Sequence, residues 1–249
     1  MTHVQNPYQL KQLRLFAFPY AGGSSNIYHD LKSYLPAEVD FCPVELPGRG
    51  RRLTEPLCEN MACLVEDVSQ QIKGQLDLPF AFFGYSMGSL LAYELAVRFQ
   101  KEGETPVALY VAASRAPHLP RRDLDIGDLS DDEALITKLR QLNGTPEEVW
   151  QNPELLEIVL PILRADFSVV SRYTYEPAAP LSCPVIAFGG ERDLDVSEEA
   201  LLEWERHSNG SFRHYIYPGD HFFIHGNKDD FFKTLSRELN RVIKEKVNG

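Results

Sequence analysis

Apolar and polar positions along the chain alternate between short apolar runs and longer stretches with helical spacing. Leu13-Arg14-Leu15-Phe16-Ala17-Phe18 predicts a strand running into a Gly22-Gly23 turn, after which Ser24 can cap a helix to about residue 35. Residues 39–44 predict a second strand, and residues 61–76 carry helical spacing. Phe80-Ala81-Phe82-Phe83 is apolar on both faces, as in a buried parallel strand. A helix is expected over about 87–100 and a strand over 107–112.

The alternation then breaks. The interval 114–183 is far longer than the roughly 2–6 residues of an ordinary connection, so it should carry structure of its own. It reads as helical: Ser130-Asp131-Asp132-Glu133 fits a capping box, and residues 154–173 have near-helical apolar spacing. Val185-Ile186-Ala187-Phe188 resumes the strand pattern, Ser197 opens a helix, residues 212–217 form a last strand, and residues 228–246 a closing helix. In that helix Phe232, Leu235, Leu239 and Val242 sit three and four apart on one face. The fold class is therefore α/β: a mostly parallel central sheet flanked by helices, one domain over residues 1–249 with a helical insertion at about 114–183. Ligands of such sheets bind beyond the carboxyl ends of the strands, so loops that follow strands are where chemistry belongs.

Gly84-Tyr85-Ser86-Met87-Gly88 is a G-x-S-x-G sequence. Chance supplies that pattern in a chain this long with a probability of about 0.08. Its place between an apolar strand and a helix is what makes it the nucleophile elbow of an α/β-hydrolase fold. A serine needs a base, and in this fold the order is serine, acid, histidine. Of seven histidines, His221 lies in the loop after the last strand; His214 falls inside that strand and His225 a little later, and both are expected to be packed or solvated. The acid should follow the preceding strand, where Gly190-Glu191-Arg192-Asp193-Leu194-Asp195 stands. Asp193 is preferred, Asp195 is the alternative, and Glu191 comes third. Oxyanion donors are expected from the amides of Met87 and of Ala21, in the loop after the first strand. His221 and His225 are spaced like a helical metal pair, but Phe222 stands where H-E-x-x-H needs glutamate, so no metal site and no cofactor are expected.

Hydrophobic residues make up 43% and charged residues 24%, as in ordinary globular domains. The net charge of -11 argues against nucleic acid or an anionic membrane as main partners. The N-terminal residues 1–14 are polar, so no signal peptide is expected, and no apolar run approaches the roughly 20 residues of a membrane span. The four cysteines, Cys42, Cys58, Cys63 and Cys183, include no C-x-x-C pair and are expected as free thiols in a reducing cytoplasm.

Five segments in order resemble one family. They are Phe18-Pro19-Tyr20-Ala21-Gly22-Gly23, Leu46-Pro47-Gly48-Arg49, Phe83-Gly84-Tyr85-Ser86-Met87-Gly88, Leu163-Arg164-Ala165-Asp166-Phe167 and Gly219-Asp220-His221-Phe222-Phe223. They resemble the type II thioesterases of non-ribosomal peptide and polyketide synthesis, which are related to the medium-chain thioesterase of fatty acid synthesis. Tyr20 departs from that pattern, which often has histidine there. The family's acid motif falls on Gly190, Asp193 and Val196. The resemblance implies a cytoplasmic enzyme that removes acyl groups from the phosphopantetheine arm of acyl or peptidyl carrier-protein domains, for editing or product release, with the insertion at about 114–183 as a helical lid insertion that shapes the acyl chamber. The 4'-phosphopantetheine belongs to the substrate, and a monomer is expected. The alternative is a general carboxylesterase or lipase-like hydrolase of free small esters, which would use the same triad. Two basic clusters, Arg49, Arg51 and Arg52, and His118, Arg121 and Arg122, follow strands. They are read either as solvated charge or as contacts to the pantetheine phosphate and an acidic carrier domain.

Overall fold

The computed structural model describes residues 10–120, 132–141 and 147–247. Six strands form one sheet: β1 (Leu13–Phe18), β2 (Val39–Pro43), β3 (Phe80–Tyr85), β4 (Ala108–Ala112), β5 (Val185–Gly190) and β6 (Phe212–Tyr217). Their spatial order is β2-β1-β3-β4-β5-β6, and every neighbouring pair is parallel. Eight α-helices accompany them among the described residues: α1 (Met61–Lys73), α2 (Met87–Lys101), α3 (Asp132–Gln141), α4 (Glu147–Trp150), α5 (Pro153–Ser171), α6 (Glu198–Leu202), α7 (Phe223–Gly226) and α8 (Lys228–Val247).

The two-residue period of the strands decides which face each side chain serves. Phe16, Phe18, Phe80, Phe82, Leu109, Val111, Val185 and Ala187 bury against α1 and α2 and against Trp204. Leu15, Ala17, Ala81, Phe83, Tyr110, Ile186 and Phe188 bury on the other face, against Phe231, Phe232, Leu235, Leu239 and Val242 of α8. That is the three-layer arrangement the apolar pattern predicts, and the periodic face expected of the closing helix is the one that packs.

Three details differ from the sequence reading. The element after Ser24 is a 3-10 helix over Ser25–Ser33 rather than an α-helix, with the Ser24 hydroxyl accepting from the Asn26 amide. Cys58 and Cys63 are joined in a disulfide at the start of α1, with Cα atoms 5.6 Å apart, so free thiols are found only at Cys42 and Cys183. A cysteine pair five residues apart matches no recognised motif, but this helix start brings both Cα atoms within bridging range. The short helix α7 was also not expected.

The chain between β4 and β5 carries α3, α4 and α5. Asn152 caps α5 by accepting from the amides of Glu154 and Leu155, with Pro153 at its first position. Leu135, Trp150, Leu163 and Phe167 form a separate small core in this segment, and Ala21 of the β1–β2 loop packs against it. Ser130 and Asp131 of the expected capping box, like Arg121 and Arg122, lie outside the described residues. Among the described residues no helix is long and apolar enough to cross a membrane.

Candidate active site

Ser86 stands at the junction of β3 and α2 with φ 53° and ψ -114°. A non-glycine residue there costs about 1–3 kcal/mol and persists only where its surroundings enforce it. They do. The Ser86 amide donates to the Ala112 carbonyl (2.8 Å), which locks the turn to the end of β4. The buried Ser89 hydroxyl, one turn on, donates to the Gly84 carbonyl (2.8 Å) and accepts from the Ala112 amide (3.1 Å). The helix can approach only because position 88 is glycine. A Cβ there would lie 2.2 Å from the Phe18 carbonyl oxygen and 2.6 Å from that of Pro19.

His221 follows β6 and Asp193 follows β5. Their loops are tied together: the Glu191 amide donates to the Tyr217 carbonyl and the Arg192 amide to the Gly219 carbonyl, each at 2.8 Å. Gly190 lets them close, because a Cβ there would sit 2.3 Å from the Asp220 carbonyl oxygen. Tyr85, buried at the end of β3, donates its hydroxyl to the His221 carbonyl (2.7 Å).

The three side chains meet in one line of hydrogen bonds. His221 Nε2 is 2.9 Å from Ser86 Oγ, and His221 Nδ1 is 2.8 Å from Asp193 Oδ2. The Asp193 carboxylate is fully buried. Its second oxygen, Oδ1, accepts the amides of Asp195 (2.9 Å) and Val196 (3.1 Å). Burial by itself pushes the His221 imidazole down. The hydrogen bond and charge of Asp193, with smaller contributions from Asp195 and Asp220, outweigh it and leave the pKa raised above 6.5.

Asp195 therefore takes the supporting position in the turn: its amide, not its carboxylate, meets Asp193. Glu191 lies in the same turn, and its amide goes to Tyr217. Asp193, Asp195 and His221 bring potential ligand atoms within 4.8 Å of one another. The Asp193 oxygens accept two amides and face the imidazole. His214 lies on β6 and faces Glu198 at 3.4 Å. His225 packs on Phe222 and against the edge of Tyr20, where burial lowers its pKa.

Ser86 and His221 open into a cavity of about 70 Å³. Ala21 and Met87 line it, with Leu90, Phe167, Val170 and Val196 supplying apolar wall. Met87 opens α2, so its amide has no acceptor within the helix. Tyr20 is part of the same wall and packs edge-on against Tyr85 and Phe222.

Two of the three arginines of the first cluster are turned inward, and of the second cluster only His118 lies among the described residues. Arg49 is buried and doubly hydrogen-bonded to Asp166, whose side chain is 0% exposed. Arg52 is held by Asp67 and Glu55. His118 lies 2.8 Å from His207 and 3.2 Å from Glu203. Arg51 alone of the first cluster is exposed. Sequence reasoning missed the Arg49–Asp166 pair, although both residues lie in the segments that carry the family resemblance.

A model of the thioesterase domain matches residues 13–239. The gramicidin S biosynthesis protein GrsT of Aneurinibacillus migulanus is 40% identical over 237 residues, which is 95% of this chain and 92% of that protein. The crystal structure of ClbQ from the colibactin NRPS/PKS pathway superposes with a TM-score of 0.86 at 32% identity, covering 96% of this chain and all (100%) of that one. BorB, a type II thioesterase from the borrelidin biosynthetic cluster, gives 0.83 at 32% identity, covering 94% and 96%. These likenesses run from the first strand to the closing helix and span the whole hydrogen-bonded site, so the α/β-hydrolase fold here serves the hydrolysis of thioesters, and the chain belongs to the thioesterase family.

Proposed function

We propose that this thioesterase is a type II enzyme that clears acyl groups from the phosphopantetheine arm of carrier-protein domains in non-ribosomal peptide or polyketide synthesis, as a single-domain cytoplasmic monomer without a cofactor of its own. The observation that carries the chemistry is the unbroken line from Asp193 through His221 to Ser86 at the wall of an apolar cavity. The biosynthetic pathways named for GrsT, ClbQ and BorB support a carrier-protein partner. His221, neutral, takes the Ser86 proton as Oγ attacks the thioester carbonyl. Asp193 holds the tautomer that leaves Nε2 free to accept and stabilises the imidazolium that forms. The Ala21 and Met87 amides receive the oxyanion. The carrier's thiol, with a pKa of about 8.5, leaves readily, and His221 then activates the water that frees the acid. In this reading α5, which lines the chamber through Phe167 and Val170, is part of a lid.

The cavity's 70 Å³ compares with the roughly 10–15 Å³ one water needs, so there is room for an acyl group beside Ser86. The test is mass spectrometry of carrier proteins loaded with acyl groups of graded length, incubated with the wild type and with Ser86→Ala. Release of acyl groups by the wild type alone supports the reading. Release by Ser86→Ala overturns the nucleophile. A kcat/KM for free esters equal to that for carrier-bound thioesters moves the assignment to a general esterase.

A further inference from the structure

The loop after β1 carries Ala21, and its fixation comes from a distant part of the chain. Asp166 sits on α5, in the segment between β4 and β5, with its carboxylate fully buried. Asp166 Oδ2 accepts the Gly22 amide at 2.7 Å, the peptide directly following Ala21. Arg49 grips the same carboxylate through both nitrogens, at 2.5 and 2.7 Å, and also donates to the Gly23 carbonyl (3.3 Å). Farther along, Glu45 accepts the Ser25 amide (3.0 Å) and hydroxyl (2.9 Å). Leu163, three residues before Asp166, presses on Gly22, where a Cβ would lie 2.4 Å from its side chain. The mechanism uses none of these groups.

A buried ion pair is weak support for stability by itself, because desolvation offsets most of the attraction. Its geometry indicates what it does. One carboxylate oxygen is shared between a guanidinium and the amide adjoining the oxyanion donor. An oxyanion amide must be fixed to a fraction of an ångström before charge develops. We infer that Asp166, its buried charge balanced by Arg49, is a positioning residue that sets the Ala21 amide for the oxyanion through its bond to the Gly22 amide, so that α5 controls transition-state binding as well as covering the site.

This inference rests on the proposed roles of Ser86 and Ala21. Single substitutions would strand a buried charge and confuse folding with catalysis, so the test uses two uncharged double variants. Arg49→Met with Asp166→Asn keeps an oxygen that accepts the Gly22 amide. Arg49→Met with Asp166→Leu has the same shape and no acceptor. We expect the asparagine variant to keep kcat on a soluble acyl thioester within about 3-fold. The leucine variant should lose about 10²-fold, the lower end of the cost of an oxyanion donor, with KM little changed. Should the leucine variant fail to fold, Arg49→Met with Asp166→Ala reads the same loss. Equal kcat in the two kinds of variant, high or low, overturns the inference, as does a difference confined to KM. Fluorophosphonate labelling separates the layers. A wild type that is not labelled at Ser86 defeats the underlying reading, while a labelled wild type with equal variants defeats only the role of Asp166.

Discussion

Replacing Asp193 with asparagine strikes the hydrogen-bonded line at the link where chemistry and geometry are easiest to separate. Oδ1 accepts two backbone amides, from Asp195 and Val196, and Oδ2 accepts from His221 Nδ1. Two fixed donors dictate how an asparagine must sit: its carbonyl oxygen replaces Oδ1, and its NH2 replaces Oδ2. A donor then faces Nδ1 and selects the tautomer protonated on Nε2. That nitrogen lies 2.9 Å from Ser86 Oγ, so the base meets the hydroxyl as a donor and cannot take its proton. In another serine hydrolase this inversion lowers kcat about 10⁴-fold, which is about 5 kcal/mol of transition-state stabilisation. The same loss is expected here, with KM within a few fold, because no cavity wall has changed. The assay is release of free thiol from a soluble acyl thioester, with the melting temperature recorded beside it. A kcat loss below about 10-fold in a folded variant would refute the reasoning, since it would mean that the orientation of His221 does not depend on this carboxylate.

Three further outcomes follow from the same geometry. With His221 as the proposed base, active only when neutral and with its pKa raised, kcat/KM should fall as pH drops through a value above 6.5; Asp195→Asn removes one raising charge and should move that limb to lower pH with the plateau within a few fold, whereas a plateau loss like that of Asp193→Asn would give the acid's role to Asp195. Gly88→Ala places a Cβ 2.2 Å from a backbone oxygen that cannot step aside, so urea unfolding should show a loss of about 3 kcal/mol; a change under about 0.5 kcal/mol would contradict it. Burial, reinforced by His118, pushes His207 down to about 4. The unfolded chain therefore binds this proton first, and stability present above about 6.5 should drain away toward pH 4 by something like 3 kcal/mol; His207→Gln should flatten that part of the curve, and an unchanged slope in denaturant titrations from pH 4 to 7.5 would reject it.

The fold was legible because burial on both faces of a parallel sheet leaves an unambiguous trace. Phe80-Ala81-Phe82-Phe83 could be nothing that alternates with solvent, and its even and odd positions do enter opposite cores. The loops bearing Ser86, Asp193 and His221 were legible because a strand's carboxyl end is where such a sheet can present chemistry, and their order is fixed by topology. Charge was not legible. Arg49 and Asp166 are 117 residues apart, and each looks like ordinary solvated charge in its own neighbourhood. Only the fold brings them together, and it also turns Arg52 inward to Asp67. The Cys58–Cys63 bridge was missed for the same reason. Spacing alone does not say that a helix start will hold two thiols within reach.

These features explain how the site divides fixed parts from adaptable ones. The strained backbone of Ser86 is enforced by contacts that leave no slack: an amide bonded across to β4, a buried hydroxyl beneath, and a helix seated against the Phe18 and Pro19 carbonyls. The acid and base loops meet at Gly190 with equally little room. Side chains that could shape a substrate lie elsewhere, at Phe167 and Val170 on α5 and at Tyr20 in the facing loop. Asp166 lies on the same helix, between Leu163 and those wall residues, and bonds to the loop that carries Ala21. A shift of α5 to admit a different acyl group would therefore move the Gly22 amide with it. With Asp166 in the proposed positioning role, substrate fit and oxyanion geometry are coupled through one helix, and a poorly fitting acyl group should show its penalty in kcat as well as in KM.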